Sequence, residues 1–274
     1  MKIGDYYSLT ANTKIGAAIM KHTGVMEYHT HIRIKPFLNY IKKQEGKIKI
    51  LEIGCGTGTN LFEAARMVKE CDKFSAVGVD MNRDAIRTAQ NLKKKLHNSS
   101  IEFINKDALE YLESEEIKEF NYILLYDFLE HIKNPDDFLE KLEGLLKDRH
   151  TYIISVPTPN YPKVFGYTFH KEVGHVCDGY TKEMLDGLFE KIGGGYKRVF
   201  TSYNTGIIGS IGARIYYKWL WETQSRILKV LRYFLTIPFR WLDINSEKVS
   251  CELFTIYAGG IYEEVKFEEK SRNN

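Results

Sequence analysis

Between residues 48 and 157, short apolar runs alternate with longer amphipathic segments. The runs at 48–53, 74–80, 101–104, 122–128 and 152–157 are rich in Ile, Val, Leu or aromatics and are bounded by polar residues. Continuous runs of this length read as strands buried on both faces. Between them, apolar positions recur at three- and four-residue steps across 61–68, at Ala85, Ala89, Leu92 and Leu96, and at Phe138, Leu142 and Leu145. This alternation of strand and helix predicts an α/β fold, a doubly wound parallel sheet. Outside the core, 1–47 is predicted helical around 27–43 and reads as an N-terminal lid. The aromatic, His-bearing stretch 158–180 reads as a substrate loop over the site. A helix is expected over 182–192, stopped by Gly193-Gly194-Gly195, then a strand over 197–203, a helical insertion at 206–245 and a last strand over 251–257. Residues 263–274 read as a flexible tail, and 1–274 as one domain.

Composition narrows the class. The chain has 274 residues, 43% hydrophobic and 13% aromatic, enough for a sizeable core and against disorder, and 6 Pro with 21 Gly exclude collagen-like chains. A net charge of +3 implies no chain-wide field for nucleic acid. Cys55, Cys71, Cys177 and Cys251 form no C-x-x-C pair, which argues against a zinc finger or disulfide framework and suits a reducing cytosol. The first 20 residues do not read as a signal peptide, and the sequence holds no apolar stretch long enough to span a membrane. A cytoplasmic location is expected.

The charge is unevenly spread. Within 213–241, Arg214, Lys218, Arg226, Lys229, Arg232 and Arg240 face one acid, Glu222, and all three Trp (Trp219, Trp221, Trp241) fall here. On a helix over 226–235, Ile227, Leu228, Val230, Leu231, Phe234 and Leu235 share one arc, with the basic residues opposite. Pro238 is expected to end or kink this helix. The segment reads as a lid or homodimerisation element whose apolar stripe packs on its own domain. Peripheral contact with a membrane surface is the alternative.

The most informative stretch is Leu51-Glu52-Ile53-Gly54-Cys55-Gly56-Thr57-Gly58-Thr59-Asn60, which follows a strand and opens a helix. Glycines here permit a sharp turn and the close approach of a ligand. The third glycine comes one residue too early for the G-x-G-x-x-G dinucleotide fingerprint, and Glu52 would repel a pyrophosphate but suit an ammonium group. Asp80, ending the second run, can accept both ribose hydroxyls of an adenosine, with Met81 against the adenine. Asp107, between Lys106 and Ala108, can accept from the adenine amine.

On these residues and on Tyr126-Asp127-Phe128-Leu129-Glu130-His131, the chain resembles class I S-adenosylmethionine (SAM)-dependent methyltransferases. The resemblance implies a Rossmann-like, seven-stranded, mostly parallel sheet with an antiparallel last strand. It implies SAM as cofactor, held by Glu52, Gly54, Cys55, Gly56, Gly58, Asp80, Met81, Lys106, Asp107, Ala108 and Tyr126, with Arg33 on the SAM carboxylate. The Asp127, Glu130, His131 pattern is similar to that of ubiquinone-pathway O-methyltransferases, where the corresponding acids and His are associated with a divalent metal. The same pattern is widespread in methyltransferases without metal, so no metal ligand is assigned and His131 is read as the catalytic base. His29, Tyr161, His170 and His175 are read as substrate contacts. The expected reaction is methyl transfer to a small-molecule, sugar or lipid-linked acceptor, with oxygen favoured. The alternatives are N- or C-methylation and a SAM-binding scaffold. The base-methylating N/D-P-P-Y signature is absent, so nucleic acid is not an expected partner.

Overall fold

The computed structural model describes residue 24 and residues 30–44, 46–68, 73–113, 119–146, 150–222 and 226–259. The expectations for His29, for the tail at 263–274 and for the side chains at 217–230, 232 and 233 lie outside the described residues.

The strands are β1 (Ile48–Ile53), β2 (Phe74–Asp80), β3 (Ile101–Asn105), β4 (Tyr122–Tyr126), β5 (Thr151–Pro157), β6 (Lys197–Asn204) and β7 (Glu252–Ala258). The helices are α1 (Thr30–Ile41), α2 (Thr59–Met67), α3 (Arg83–Leu96), a single turn α4 (Ala108–Tyr111), α5 (Pro135–Leu145), α6 (Tyr161–Phe165), α7 (Tyr167–Glu172), α8 (Lys182–Lys191), α9 (Ile207–Glu222) and α10 (Arg226–Trp241). The strands form one seven-stranded sheet of order β3-β2-β1-β4-β5-β7-β6. The first five are parallel, and β7 runs antiparallel between β5 and β6.

Alternation along the strands explains the layers. Ile50, Leu124, Ile153 and Ile256 face a cluster that takes in Phe37 and Ile41 of α1, Leu61 and Ala64 of α2 and Ile86 and Ala89 of α3. Leu51, Ile123, Leu125, Ile154 and Tyr257 face the other side, under Phe138 and Leu142 of α5 and Leu185 and Phe189 of α8. Helices thus cover both faces, which is why the strand runs are apolar throughout. The strand order reverses between β1 and β4, where an open parallel sheet leaves a crevice at its carboxyl edge.

Three expectations change. The fourth strand stops at Tyr126 rather than residue 128, because Asp127 turns left-handed, with φ +47°. The substrate loop contains two short helices, α6 and α7. The insertion is a pair of helices whose ends are joined by Asp243, accepting from the Gly206 and Gly209 amides at 2.8 and 2.7 Å. Pro238 lies inside α10, which runs on to Trp241, and the Leu242 amide still bonds to the Pro238 carbonyl.

The apolar stripe of α10 does not pack as expected. Leu231 is 51% exposed, Phe234 51%, Leu235 64% and Trp241 78%, and Leu242 and Ile244 continue the exposed surface. Among the described residues, no helix is long and apolar enough to cross a membrane.

Candidate active site

The turn after β1 takes left-handed glycines three times, with φ +76° at Gly54, +54° at Gly56 and +73° at Gly58. The Gly54 and Cys55 amides donate to the Val79 carbonyl on β2, and the Gly58 amide donates to Cys55, so these donors serve the turn itself. A Cβ on Gly58 would lie 2.3 Å from the Phe103 ring, so this glycine is needed for packing. A Cβ on Gly56 would meet nothing within 4 Å among the described residues. Gly56 therefore borders open space that a ligand can fill. The Cys55 side chain is buried, and its thiol is held well above the usual range by burial and by Glu52 and Asp80.

The expected acids line up at the ends of β1, β2 and β3. Glu52 is buried. Its Oε1 accepts from Asn60 Nδ2 at 2.6 Å, while Oε2 has no hydrogen-bond partner among the described residues. Burial pushes the Glu52 carboxyl up to about 8, against the Asn60 hydrogen bond and with help from Asp80. Asp80 accepts the Gly56 amide at 2.8 Å and the Asn82 amide at 2.7 Å, one on each oxygen, so each oxygen keeps a lone pair for a ligand hydroxyl. Met81 is 74% exposed beside it. Asn105 Nδ2 donates to the Asp80 and Met81 carbonyls, tying the ends of β2 and β3 together. Asp107 caps α4 by accepting the Leu109 amide at 2.9 Å, between the half-buried Lys106 and Ala108. An unsatisfied buried carboxylate oxygen, an open glycine and an aspartate with a lone pair to spare on each oxygen, all near the ends of β1 and β2, fit an amino-acid-bearing adenosine ligand.

Two expected ligand contacts, Arg33 and Tyr126, have partners within the protein. The Arg33 guanidinium spans Asp127 and Glu252. Tyr126 is buried, and its hydroxyl donates to the Arg33 carbonyl at 3.5 Å, which ties α1 to the end of β4. Glu252, at the start of β7, was not singled out from the sequence, where an acid opening an apolar run carries no signal.

Beyond β4, five side chains picked out by sequence converge. A short 3-10 turn, Leu129–His131, carries Glu130 inward and His131 to the surface. The His131 and His175 rings are 5.0 Å apart, and those of His170 and His175 4.6 Å. Tyr161 lies 5.4 Å from His175. Burial, then the neighbouring His131 and His170, push His175 down to about 3. Both Glu130 oxygens are buried without a hydrogen-bond partner among the described residues, and burial first, then Asp127, holds this carboxyl well above the usual range. Donor atoms of Glu130, His131 and His175 lie within 4.8 Å of one another. Two imidazoles and an unsatisfied carboxylate fit a divalent cation.

The family described as "Methyltransferase domain" matches residues 44–202, more than half of the chain. The chain is 29% identical over 126 residues to Carboxy-S-adenosyl-L-methionine synthase of Nautilia profundicola, covering 46% of this chain and 50% of that protein. It is 26% identical over 135 residues to Ubiquinone biosynthesis O-methyltransferase of Rickettsia typhi, covering 48% and 51%. The chain thus spans about half the length of these curated relatives. Among solved structures, it is similar to Phospholethanolamine N-methyltransferase 2 of Haemonchus contortus, crystallised with phosphomonomethylethanolamine and S-adenosylhomocysteine (TM-score 0.59, 16% identity, 96% of this chain and 61% of that one). It is also similar to the plantazolicin methyltransferase BamL, crystallised with a triazolic desmethylPZN analog and SAH (TM-score 0.57, 16% identity, 92% and 93%).

Proposed function

The chain belongs to the methyltransferase-domain family, with the class I SAM-dependent fold, and from that premise we propose that it transfers the SAM methyl group to an oxygen of a small-molecule, sugar or lipid-linked acceptor. The observation that carries the donor half is the open face of Gly56 beside the unpartnered Glu52 oxygen. SAM supplies a methyl group already activated on a sulfonium, so the protein's task is chiefly placement. Asp80 receives the ribose hydroxyls, Met81 covers the adenine, and Glu52 faces the ammonium group. Asp107 is engaged with its own helix through one oxygen, leaving the other for the adenine amine.

His131 carries the acceptor half. The Gly174 carbonyl, 3.2 Å from His131 Nδ1, can only accept, so Nδ1 bears the hydrogen and Nε2 keeps a lone pair. That lone pair takes the acceptor hydroxyl's proton as the O–C bond forms and the C–S bond breaks. His131→Ala is expected to lower turnover by ~10²–10⁴-fold with donor affinity within about twofold of wild type, as read by S-adenosylhomocysteine titration. Unchanged turnover on the product-forming acceptor, identified by labelled methyl transfer in extract, would refute the assignment. Labelled methyl entering no product would favour a binder without transfer.

The exposed stripe on α10 favours a second element of this reading, contact with an anionic membrane surface. A self-complementary dimer would bring the basic excess of 213–241 against its own copy, whereas anionic lipid complements it. Arg214 bonds to the Val164 carbonyl, so the insertion adjoins the substrate segment and can present a lipid-linked acceptor to it. The protein should sediment with phosphatidylserine-containing vesicles at low salt and not with phosphatidylcholine alone. Leu235→Glu should release it, and equal recovery in the supernatant with both lipids would remove the membrane role.

A further inference from the structure

Glu130 and His175 face one another from two parts of the fold, the turn after β4 and the segment after α7. Both Glu130 oxygens are buried without a hydrogen-bond partner among the described residues, an arrangement that is costly unless something binds them. The neighbouring imidazole does not supply the missing hydrogen. His170 Nε2 lies 3.5 Å from Asp178 Oδ1, which accepts a hydrogen, so His170 Nδ1 is left as an acceptor. His175 Nδ1, 3.0 Å away, then donates to it, and the His175 lone pair sits on Nε2. That nitrogen is 3.9 Å from Glu130 Oε1, too far for the two groups to bond to each other.

Between them, an ionised Glu130 and the His175 lone pair present only acceptors. A primary ammonium matches this in kind and in sign, since it carries three N–H donors, no acceptor and a positive charge. Hydrogen bonds of about 2.8 Å from one tetrahedral nitrogen set acceptors on two different residues roughly 4.6 Å apart. Glu130 and His175 stand 3.9 Å apart, and the cluster they form with His131 closes within 4.8 Å. The surrounding charge has the same sense, because Asp127 and Glu252 share one guanidinium, that of Arg33. Burial first, then Asp127, holds the Glu130 carboxyl well above the usual range, and a cation beside it favours the ionised form.

We infer that the methyl acceptor is an amino alcohol, held by its ammonium group between Glu130 and His175, with Asp178 and His170 as the pair that positions His175. That the molecule bound there is the acceptor rests on the proposed methyl transfer; the ammonium pocket itself does not. His131 keeps its part, with its Nε2 lone pair left to take the hydroxyl proton. A His131 ring nitrogen lies within 4.8 Å of both amine contacts, so the hydroxyl is borne within a few bonds of the amine. An ammonium that donates to Glu130 and His175 keeps its hydrogens and has no lone pair. The hydroxyl oxygen is then the nucleophile: its bond to the methyl carbon forms, the C–S bond breaks with its electron pair going to sulfur, and the proton passes to His131.

The test is a ligand-observed NMR titration of the full chain saturated with S-adenosylhomocysteine, with EDTA present so that no metal ion holds the pocket. The probes are 2-aminoethanol, ethane-1,2-diol and choline. Wild type should bind 2-aminoethanol at least ~10-fold more tightly than the diol, which lacks the charge, and than choline, which has the charge without N–H donors. Glu130→Gln should bring the three probes within about threefold of one another. His170→Ala should weaken 2-aminoethanol binding ~10-fold, and His170→Gln, which returns an acceptor to His175 Nδ1, should recover most of that loss. The S-adenosylhomocysteine affinity of each variant is the control for folding; should Glu130→Gln fail it, the wild-type preference decides alone. No preference for 2-aminoethanol over the diol in wild type overturns the ammonium pocket and leaves the methyl-transfer reading intact. A preference with no labelled methyl entering any product does the reverse. Choline bound as tightly as 2-aminoethanol, or a preference that survives Glu130→Gln, overturns the assignment of Glu130 and His175, and equal losses in the two His170 variants overturn the positioning role.

Discussion

Gly56→Ala should lose at least ~100-fold in affinity for S-adenosylhomocysteine while remaining folded, its melting temperature lowered by about 2–8 °C. The added methyl would meet nothing of the protein within 4 Å among the described residues, so what it displaces is ligand. The remaining effect on stability is the left-handed backbone at φ +54°, worth ~1–2 kcal/mol for a residue with a Cβ. Gly58→Ala is the contrasting variant. Its backbone is similarly left-handed, at φ +73°, but its Cβ would fall 2.3 Å from Phe103, a buried ring packed on Phe62. That variant should fail by unfolding, with overpacking costing a further ~1–3 kcal/mol. Calorimetric titration and thermal melts of the two proteins separate a ligand cradle from a packing position. A Gly56→Ala protein that binds S-adenosylhomocysteine as tightly as wild type would remove the donor from this turn.

The parts of this fold that were legible in the sequence are those decided locally. A parallel strand buried on both faces must be apolar along its length, and β1 through β5 announce themselves in that way. The acids Glu52, Asp80 and Asp107 were found because each sits at a fixed offset from a strand end. What was not legible depends on long-range partners. Arg33 looks like a free cation on a helix until β7 returns Glu252, 219 residues later, to meet it. His131, His170 and His175 could be picked out singly, but their grouping needs the segment after β5 to fold back over the turn after β4. Periodicity identified which residues of α10 share a face. It says nothing about whether another element covers that face, and Leu231, Phe234 and Leu235 stand half or more exposed among the described residues.

Donor binding should be linked to a proton through Glu52. In the unliganded fold this carboxyl titrates near 8, because burial outweighs the single Asn60 hydrogen bond. An ammonium group placed beside its open oxygen would favour the ionised form and pull the value down. Below pH 8 binding must therefore expel a proton, and affinity should rise roughly tenfold per pH unit between about pH 6 and 8. Above that range the donor's own α-amino group, titrating near ~8, loses its charge, so affinity should decline. The profile is a peak, whose rising limb belongs to the protein and whose falling limb belongs to the ligand. Glu52→Gln should keep the falling limb and lose the rising one, and calorimetry near pH 7 in buffers of different ionisation enthalpy should show close to one proton released by wild type. The same carboxyl affects folding with the opposite sense. Its folded value is raised above its unfolded one, so its contribution to stability is full below about 4.5 and is lost as pH rises through about 8. Unliganded wild type should therefore melt at progressively lower temperature than Glu52→Gln across that window, with added donor narrowing the gap. A rising limb that survives in Glu52→Gln would assign the proton to another group and separate Glu52 from the ammonium.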